Sequence, residues 1–304
     1  MSATVTKGIG GSDVAAIVGL SPWKGPADVF ARIVHGEDPK EGVRLRLGNL
    51  AEPEIIKDYC ERHSLDPDKI ERNVEIERKD KPFMRGELDG LLRGNHGIEC
   101  KLVGFRQADR WGEDGSDHIP DEYLCQVAWY TMLADVPFMR IAAWFDGGGD
   151  YREFQYDRNS ELEAGLVDAA ERFWVDHVLT GTPPSLTNAS AESIRRIFPA
   201  GNGNLRDATE DEVVLIDQFV KARDARKAAQ DTEDEIKGKL QTAIANEDGL
   251  VCGLGKVTWK QVKTKDKTDW EAVAKAAKAP ASLIDAHTKP TAGYRRFLFT
   301  PKKG

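Results

Sequence analysis

Gly86-Glu87-Leu88-Asp89-Gly90 and Gly97-Ile98-Glu99-Cys100-Lys101-Leu102 decide how this sequence is read. As neighbouring strands they place Glu99 and Lys101 on one face, because side chains two apart in a strand point the same way. Asp89, at the end of the first strand, points at that face too. Two carboxylates and an amine then converge. Such a set holds Mg²⁺ through hard carboxylate oxygens. The ion lowers the pKa of a bound water and neutralises charge developing on a phosphate, while the lysine orients or helps to deprotonate the nucleophile. Hydrolysis of a phosphodiester is the natural reaction. The same residues also read as a turn aspartate followed by an exposed Glu/Lys pair, since Asp and Glu-x-Lys recur by chance in 304 residues.

Upstream, Gly48-Asn49-Leu50-Ala51-Glu52-Pro53-Glu54-Ile55 adds a carboxylate, Glu52, one turn into a helix just before the strands. The plain reading of Glu52 is the preference for acids in a helix's first turn. Downstream, Tyr123-Leu124-Cys125-Gln126-Val127-Ala128-Trp129-Tyr130 is helical, and Gln126 and Tyr130, four apart, share a face. They flank a metal or phosphate, or else form a polar edge and a core aromatic. At the N-terminus, Gly8-Ile9-Gly10-Gly11-Ser12-Asp13 precedes an apolar helical stretch, Val14 to Leu20. Free amides and a hydroxyl at a helix start suit an anion, with Ser12 gripping a terminal phosphate. Simple N-capping by Ser12 or Asp13 is the competing account.

Around these motifs the periodicity alternates. Asn49 to His63 reads as a helix with Leu50, Ile55, Ile56 and Tyr59 on its apolar side, and Val74–Glu77, Phe83–Leu92 and Gly97–Val103 read as strands. Pro120 to Ala134 is helical, with Leu124, Val127 and Thr131 on one side. Phe138–Phe145 and Tyr151–Tyr156 are strands joined at Asp146-Gly147-Gly148-Gly149, and Ser160 with Glu163 reads as a capping box on a helix ending near Thr180. The fold class is α/β or α+β, a mixed central sheet flanked by helices.

Gly181-Thr182-Pro183-Pro184 breaks the pattern and ends this domain near residue 186, with a linker over 187–208. Thr209 and Glu212 cap a long Ala-, Lys- and Glu-rich helix running to Asn246, on the order of 55 Å if unbroken. Residues 224–235 carry little apolar surface, which allows a break there. Val257–Val262 and Arg295–Phe299 read as strands around a helix at Trp270–Lys278, a small basic α/β cap that completes a second domain over 209–304.

The net charge is −8, yet residues 1–204 carry −11 and the last 49 residues carry +8. That asymmetry gives the basic tail a role in DNA contact or subunit assembly, or simply a solvated lysine-rich surface. The 40% hydrophobic content in periodic segments excludes wholesale disorder. No apolar run approaches the roughly 18 residues of a membrane span, and no signal-peptide layout opens the chain, so the sequence reads as cytoplasmic. Cys60, Cys100, Cys125 and Cys252 form no CxxC or CxxH pair and read as free thiols.

Taken in order, GIGGSD at 8–13, 48–54, ELDG at 87–90, IECK at 98–101 and CQVAWY at 125–130 resemble the λ-exonuclease or YqaJ-type viral recombinase family, over roughly residues 8–185. This is a phage and prophage branch of the PD-(D/E)xK nucleases, with a restriction-endonuclease-like core. The resemblance implies Asp89 and Glu99 as metal ligands with the Cys100 carbonyl beside them, Glu52 as a further acidic ligand, Lys101 as the catalytic lysine and Gln126 as a helper. It also implies Ser12 as a contact of the 5′-phosphate end. Lys7 stands in the neighbourhood where members carry an arginine, and Leu88 stands where the superfamily pattern has proline. Tyr130 joins Ser12 and Lys7 as a candidate DNA contact.

What the resemblance implies as activity is a Mg²⁺-dependent exonuclease, with Mn²⁺ able to substitute. Such an enzyme resects duplex DNA ends from 5′ to 3′ and leaves a 3′ overhang for a single-strand annealing partner, often as a ring-shaped homotrimer. An endonuclease or nickase of the same chemistry and a non-catalytic DNA-end-binding protein are the alternatives. The cysteine spacing excludes the iron–sulfur nucleases that share part of this motif order.

Overall fold

The computed structural model of the chain describes residues 8–36, 42–146, 150–262 and 268–288. Lys7, the 147–149 turn and the expected strand Arg295–Phe299 lie outside the described residues. The described chain divides into two compact units, one ending at Ala200 and one beginning at Gly201.

The first unit opens with α1 (Gly11–Ile17), α2 (Pro26–His35) and α3 (Val43–His63). Strands β1 (Glu71–Arg78), β2 (Lys81–Leu92) and β3 (His96–Val103) follow, then α4 (Asp121–Ala134), β4 (Phe138–Phe145), β5 (Asp150–Asp157), α5 (Ser160–Phe173) and α6 (Ala191–Ile197). The sheet order is β1-β2-β3-β4-β5. Only β3 and β4 run parallel, as the crossover through α4 requires; the other neighbours are antiparallel. This is the expected mixed α/β sandwich.

Helices cover both faces. On one, Val127, Ala128 and Trp129 of α4 and Leu166, Ala170 and Phe173 of α5 are buried against Leu88, Met139, Ile141 and Phe154. On the other, α3 lays Ile55, Ile56, Tyr59 and Cys60 onto Ile98 and Ala142. Leu50, expected on that apolar side, is 73% exposed. Helix α3 begins at Val43, earlier than the periodicity indicates, and its first two turns hold no buried residue. Three other local expectations shift. Asn159, not Ser160, caps α5 by accepting from the backbone N–H groups of Glu161 and Leu162. Gly10 sits at the N-cap of α1, and the Asp13 carboxylate, at N3, accepts the Gly10 N–H at 2.8 Å. The Gly181–Pro184 break is a turn within the first unit: beyond it, α6 packs on α2, with the Ser190 N–H donating to Asp28 and Arg196 to the Gly36 carbonyl.

Beneath α3 lies a buried polar network. The Tyr59 hydroxyl and His96 Nε2 are 2.6 Å apart, and buried Glu153 is held by His63 and Tyr151. Burial, reinforced by the nearby Arg140 charge, holds the His96 imidazole down at about 4. A histidine neutral in the fold but protonated when unfolded contributes stability above its ordinary value near 6.5, and that stability is lost as pH falls toward 4. Melting temperature is therefore expected to fall across that window. His96→Gln should flatten the slope, and an unchanged slope would refute the assignment.

In the second unit α7 (Glu210–Ile244) is a single unbroken helix of 35 residues, opened by the expected Thr209/Glu212 capping box. Its low-apolar middle is sustained by helix propensity and i,i+4 pairs such as Lys239 with Glu235, so no break is needed. After it come β6 (Gly249–Cys252) and β7 (Gly255–Thr258), a two-stranded ladder, then α8 (Trp270–Ala276) and α9 (Ala281–His287). The expected strand to Val262 stops at Thr258. All four cysteines are free, and no helix among the described residues is long and apolar enough to cross a membrane.

Candidate active site

The site arises where the sheet forks. Strand β2 pairs with β3 only through Gly90, Leu91 and Leu92. Farther back, the N-terminal segment takes over that edge: the Ile9 N–H donates to the Phe83 carbonyl and the Arg85 N–H to the Ile9 carbonyl. Between these pairings Gly86–Asp89 keeps β1 on one side and opens on the other. The Asp89 carboxylate fills the fork and accepts the Cys100 N–H at 2.7 Å.

Glu99 and Lys101 project from β3 toward α4, where Gln126 meets both. Lys101 Nζ donates to Glu99 Oε1 at 2.5 Å and to Gln126 Oε1 at 3.0 Å, and Gln126 Nε2 donates to Glu99 Oε1 at 2.8 Å. The amide thus locks the carboxylate and the ammonium in one arrangement. Gln126 also donates to the Tyr130 hydroxyl at 3.3 Å. The Tyr130 ring fills the space between α1 and β2. A Cβ on Gly11 would lie 2.6 Å from it and one on Gly86 2.8 Å, which is why glycine occupies both motif positions.

Electrostatics make the set reactive. Burial, and then the neighbouring Glu99 charge, push Asp89 up to about 8. Burial likewise raises Glu99. Burial alone would lower Lys101, but the attraction of Glu99 and Asp89 outweighs it and leaves the ammonium above its ordinary range. Glu99 is 3% exposed and its Oε2 has no hydrogen-bond partner. An orphaned carboxylate oxygen beside a second buried carboxylate needs a cation. The donor set fits Mg²⁺, which is commonly held through one or two carboxylates while keeping several waters.

Glu52 lies almost three turns into α3, not in its first turn, so a preference for acids at helix starts does not explain it. Its carboxylate accepts from Arg72 at 2.6 Å, and Arg72 also donates to the Asp89 backbone carbonyl at 3.0 Å. Glu52 is near enough for its charge to raise Asp89, Glu99 and Cys100. Even so, among the described residues no three His, Cys, Asp or Glu side chains enclose a point where an ion would sit. Ser12, exposed in the first turn of α1, accepts from Lys24 at 3.4 Å. It lines a cavity of about 500 Å³ together with Arg32, Arg85 and Tyr130.

Sequence reasoning missed Arg72, Lys24, Arg32, Arg85 and Tyr123. Arg32 reaches both Asp13 (2.7 Å) and the Gly8 carbonyl (2.8 Å) from α2, and Lys101 Nζ sits 4.8 Å from the Tyr123 ring centre. Tyr123 stood inside a quoted motif, three residues before Gln126 on the same helix. The arginines and Lys24 carry no local signal.

Among known families, residues 4–137 match the model of the YqaJ-like viral recombinase domain. This segment is similar to that domain over 134 residues, less than half of the chain. The match takes in every residue of the cluster, from Ser12 to Tyr130. A curated relative is the uncharacterized protein YqaJ of Bacillus subtilis (strain 168), 25% identical over 266 residues, covering 84% of this chain and 81% of that protein. That span exceeds the first unit, so this likeness reaches beyond residues 4–137 and into the second unit. Among solved structures, the alkaline exonuclease LHK-Exo of Laribacter hongkongensis aligns with 14% identity and a TM-score of 0.48, over 58% of this chain and 90% of that one. A phage-related exonuclease from Haemophilus somnus 129PT aligns with 16% identity and a TM-score of 0.43, over 57% and 96%.

Proposed function

We propose that the protein is a metal-dependent DNA exonuclease that resects duplex ends from 5′ to 3′ and leaves a 3′ single-stranded overhang. The observation that carries this reading is the buried Asp89–Glu99 pair with its unsatisfied oxygen, held against the Lys101 side chain. Asp89 and Glu99, with Glu52 and the Cys100 carbonyl alongside, would hold Mg²⁺ or Mn²⁺; the ion when bound activates water and stabilises charge on the phosphate. Lys101 adds a fixed positive charge beside the scissile group, and Gln126 keeps Glu99 aimed. Ser12 and Tyr130, on the walls of the cavity beside this cluster, receive the terminal phosphate, with Lys7 preceding them in the chain. The family's viral association supports a phage or prophage origin and action in the host cytoplasm. The resemblance stated above supports a ring-shaped homotrimer working with a single-strand annealing protein.

The test is digestion of linear duplex labelled separately at each 5′ and 3′ end, and of a closed circle, with Mg²⁺ or with EDTA. Metal-dependent release of the 5′ label as short products, with the circle intact, is expected. Cleavage of the circle would indicate an endonuclease, and tight end binding without cutting under any divalent metal would indicate a binding protein on a nuclease fold.

A further inference from the structure

A second cleft of about 490 Å³ is lined by Trp23, Phe105, Trp111, Tyr123, Arg44 and Arg106 among others. The contacts run in one line: the first cavity touches Tyr130, Tyr130 bonds Gln126, Gln126 bonds Lys101, and Lys101 rests over Tyr123, which walls the second cleft.

The second cleft has a composition of its own. Trp23, Tyr123 and Trp111 form a graded aromatic series, with ring centres 6.1 Å and 5.2 Å apart. Trp111 is buried and anchors the series, whereas Trp23 is 61% and Phe105 65% exposed at its outer end. Exposing two large rings on one cleft is costly unless something stacks on them. The floor is built rather than loose. Arg44 donates to Asp146 (3.0 Å) and to the Leu102 carbonyl (2.9 Å), and the Phe105 N–H donates to Asp146 at 2.7 Å. Arg110 is held by Glu122. Arg106 is different: its guanidinium lies 5.5 Å from the Phe105 ring centre and makes no ion pair with a described residue, leaving one positive charge beside the exposed rings.

We propose that this cleft binds unpaired nucleotides of the strand being cut, stacking their bases on Trp23 and Phe105 while Arg106 contacts the phosphate between them. Rings beside an uncompensated arginine are the chemistry of single-strand recognition, because every base offers a flat face and duplex DNA hides those faces. An acidic or apolar peptide is the competing occupant; the cleft's position one contact from Lys101 favours the nucleic acid. The inference rests on the nuclease reading, since it names where the strand goes once it leaves the duplex.

The experiment is fluorescence anisotropy in EDTA, where no cleavage occurs, with a labelled 12-nucleotide oligothymidylate and an abasic 12-mer of the same charge. The full-length protein is expected to bind oligothymidylate at least tenfold more tightly than the abasic strand. Trp23→Ala and Phe105→Ala, both at exposed positions, should each lose about tenfold toward the abasic level, as stacking on one ring allows. Arg106→Ala should weaken both strands and lower the salt dependence by about one charge. Equal affinity for the two strands, or ring variants that bind as wild type, would overturn the proposal and point to a peptide occupant. Base-dependent binding without metal-dependent digestion would instead sink the nuclease reading alone, and digestion without base discrimination would sink this inference alone.

Discussion

Lys101→Met protein is expected to lose about 10²–10³-fold in the rate of metal-dependent DNA cleavage. The Glu99 carboxylate, hydrogen-bonded to Lys101 Nζ, favours the ammonium form against the cost of burying it. The ammonium's contribution is therefore greatest where negative charge develops on the phosphate, in surroundings that screen poorly. Methionine keeps the stem's volume, and Glu99 retains the Gln126 amide as a donor, so packing survives. Lys101→Arg should not rescue, since a planar fork cannot replace one Nζ placed between Glu99 Oε1 and Gln126 Oε1. Gln126→Leu should cost less, about tenfold, because Lys101 still pins Glu99. Initial rates on linear duplex under saturating Mg²⁺ decide the matter, and a Lys101→Met enzyme within threefold of wild type would remove Lys101 from the mechanism.

The clustering of Asp89, Glu99 and Lys101 was legible because its geometry is local. Spacing two along a strand puts Glu99 and Lys101 on one face, and a short connection brings Asp89 to the neighbouring strand. Gln126 and Tyr130 were legible from the four-residue helical repeat. What the sequence hid depends on distant chain segments meeting. Arg72 reaches back to Glu52 across 20 residues, and Arg32 reaches Gly8 across 24. The fork that admits Asp89 exists because Ile9 replaces β3 along β2, a pairing no periodicity announces. Glu52 was found for the wrong structural reason, as its helix starts at Val43 and carries it past the first turn. Leu50 was misplaced as well: it lies in the exposed first two turns of the helix, ahead of the buried Ile55, Ile56, Tyr59 and Cys60.

Asp89→Asn is expected to make the metal-free protein more stable, not less, while removing its response to metal. With its carboxyl at about 8 in the fold against an ordinary 3.8, Asp89 keeps a proton that the unfolded chain gives up. For an acid whose folded pKa is raised, stability declines as pH climbs from the unfolded value through the folded one, and stays low above it. Wild-type melting temperature in EDTA should therefore contain a component that falls between about pH 4 and pH 8. Asparagine cannot ionise, yet its side-chain oxygen still accepts the Cys100 N–H, so the variant should lack that component and melt about 5 °C higher at pH 8. Under the proposed function, a divalent ion held by Asp89 and Glu99 would do for the wild type what the proton does at low pH, by offsetting the repulsion between the two carboxylates. Mn²⁺ should accordingly raise the wild-type melting temperature, and its affinity should weaken about tenfold for each pH unit below 8 as one proton competes for the site. Asp89→Asn should show neither effect. Parallel pH slopes in the two proteins, or an equal Mn²⁺ response, would mean that Asp89 neither bears this burden nor holds the ion.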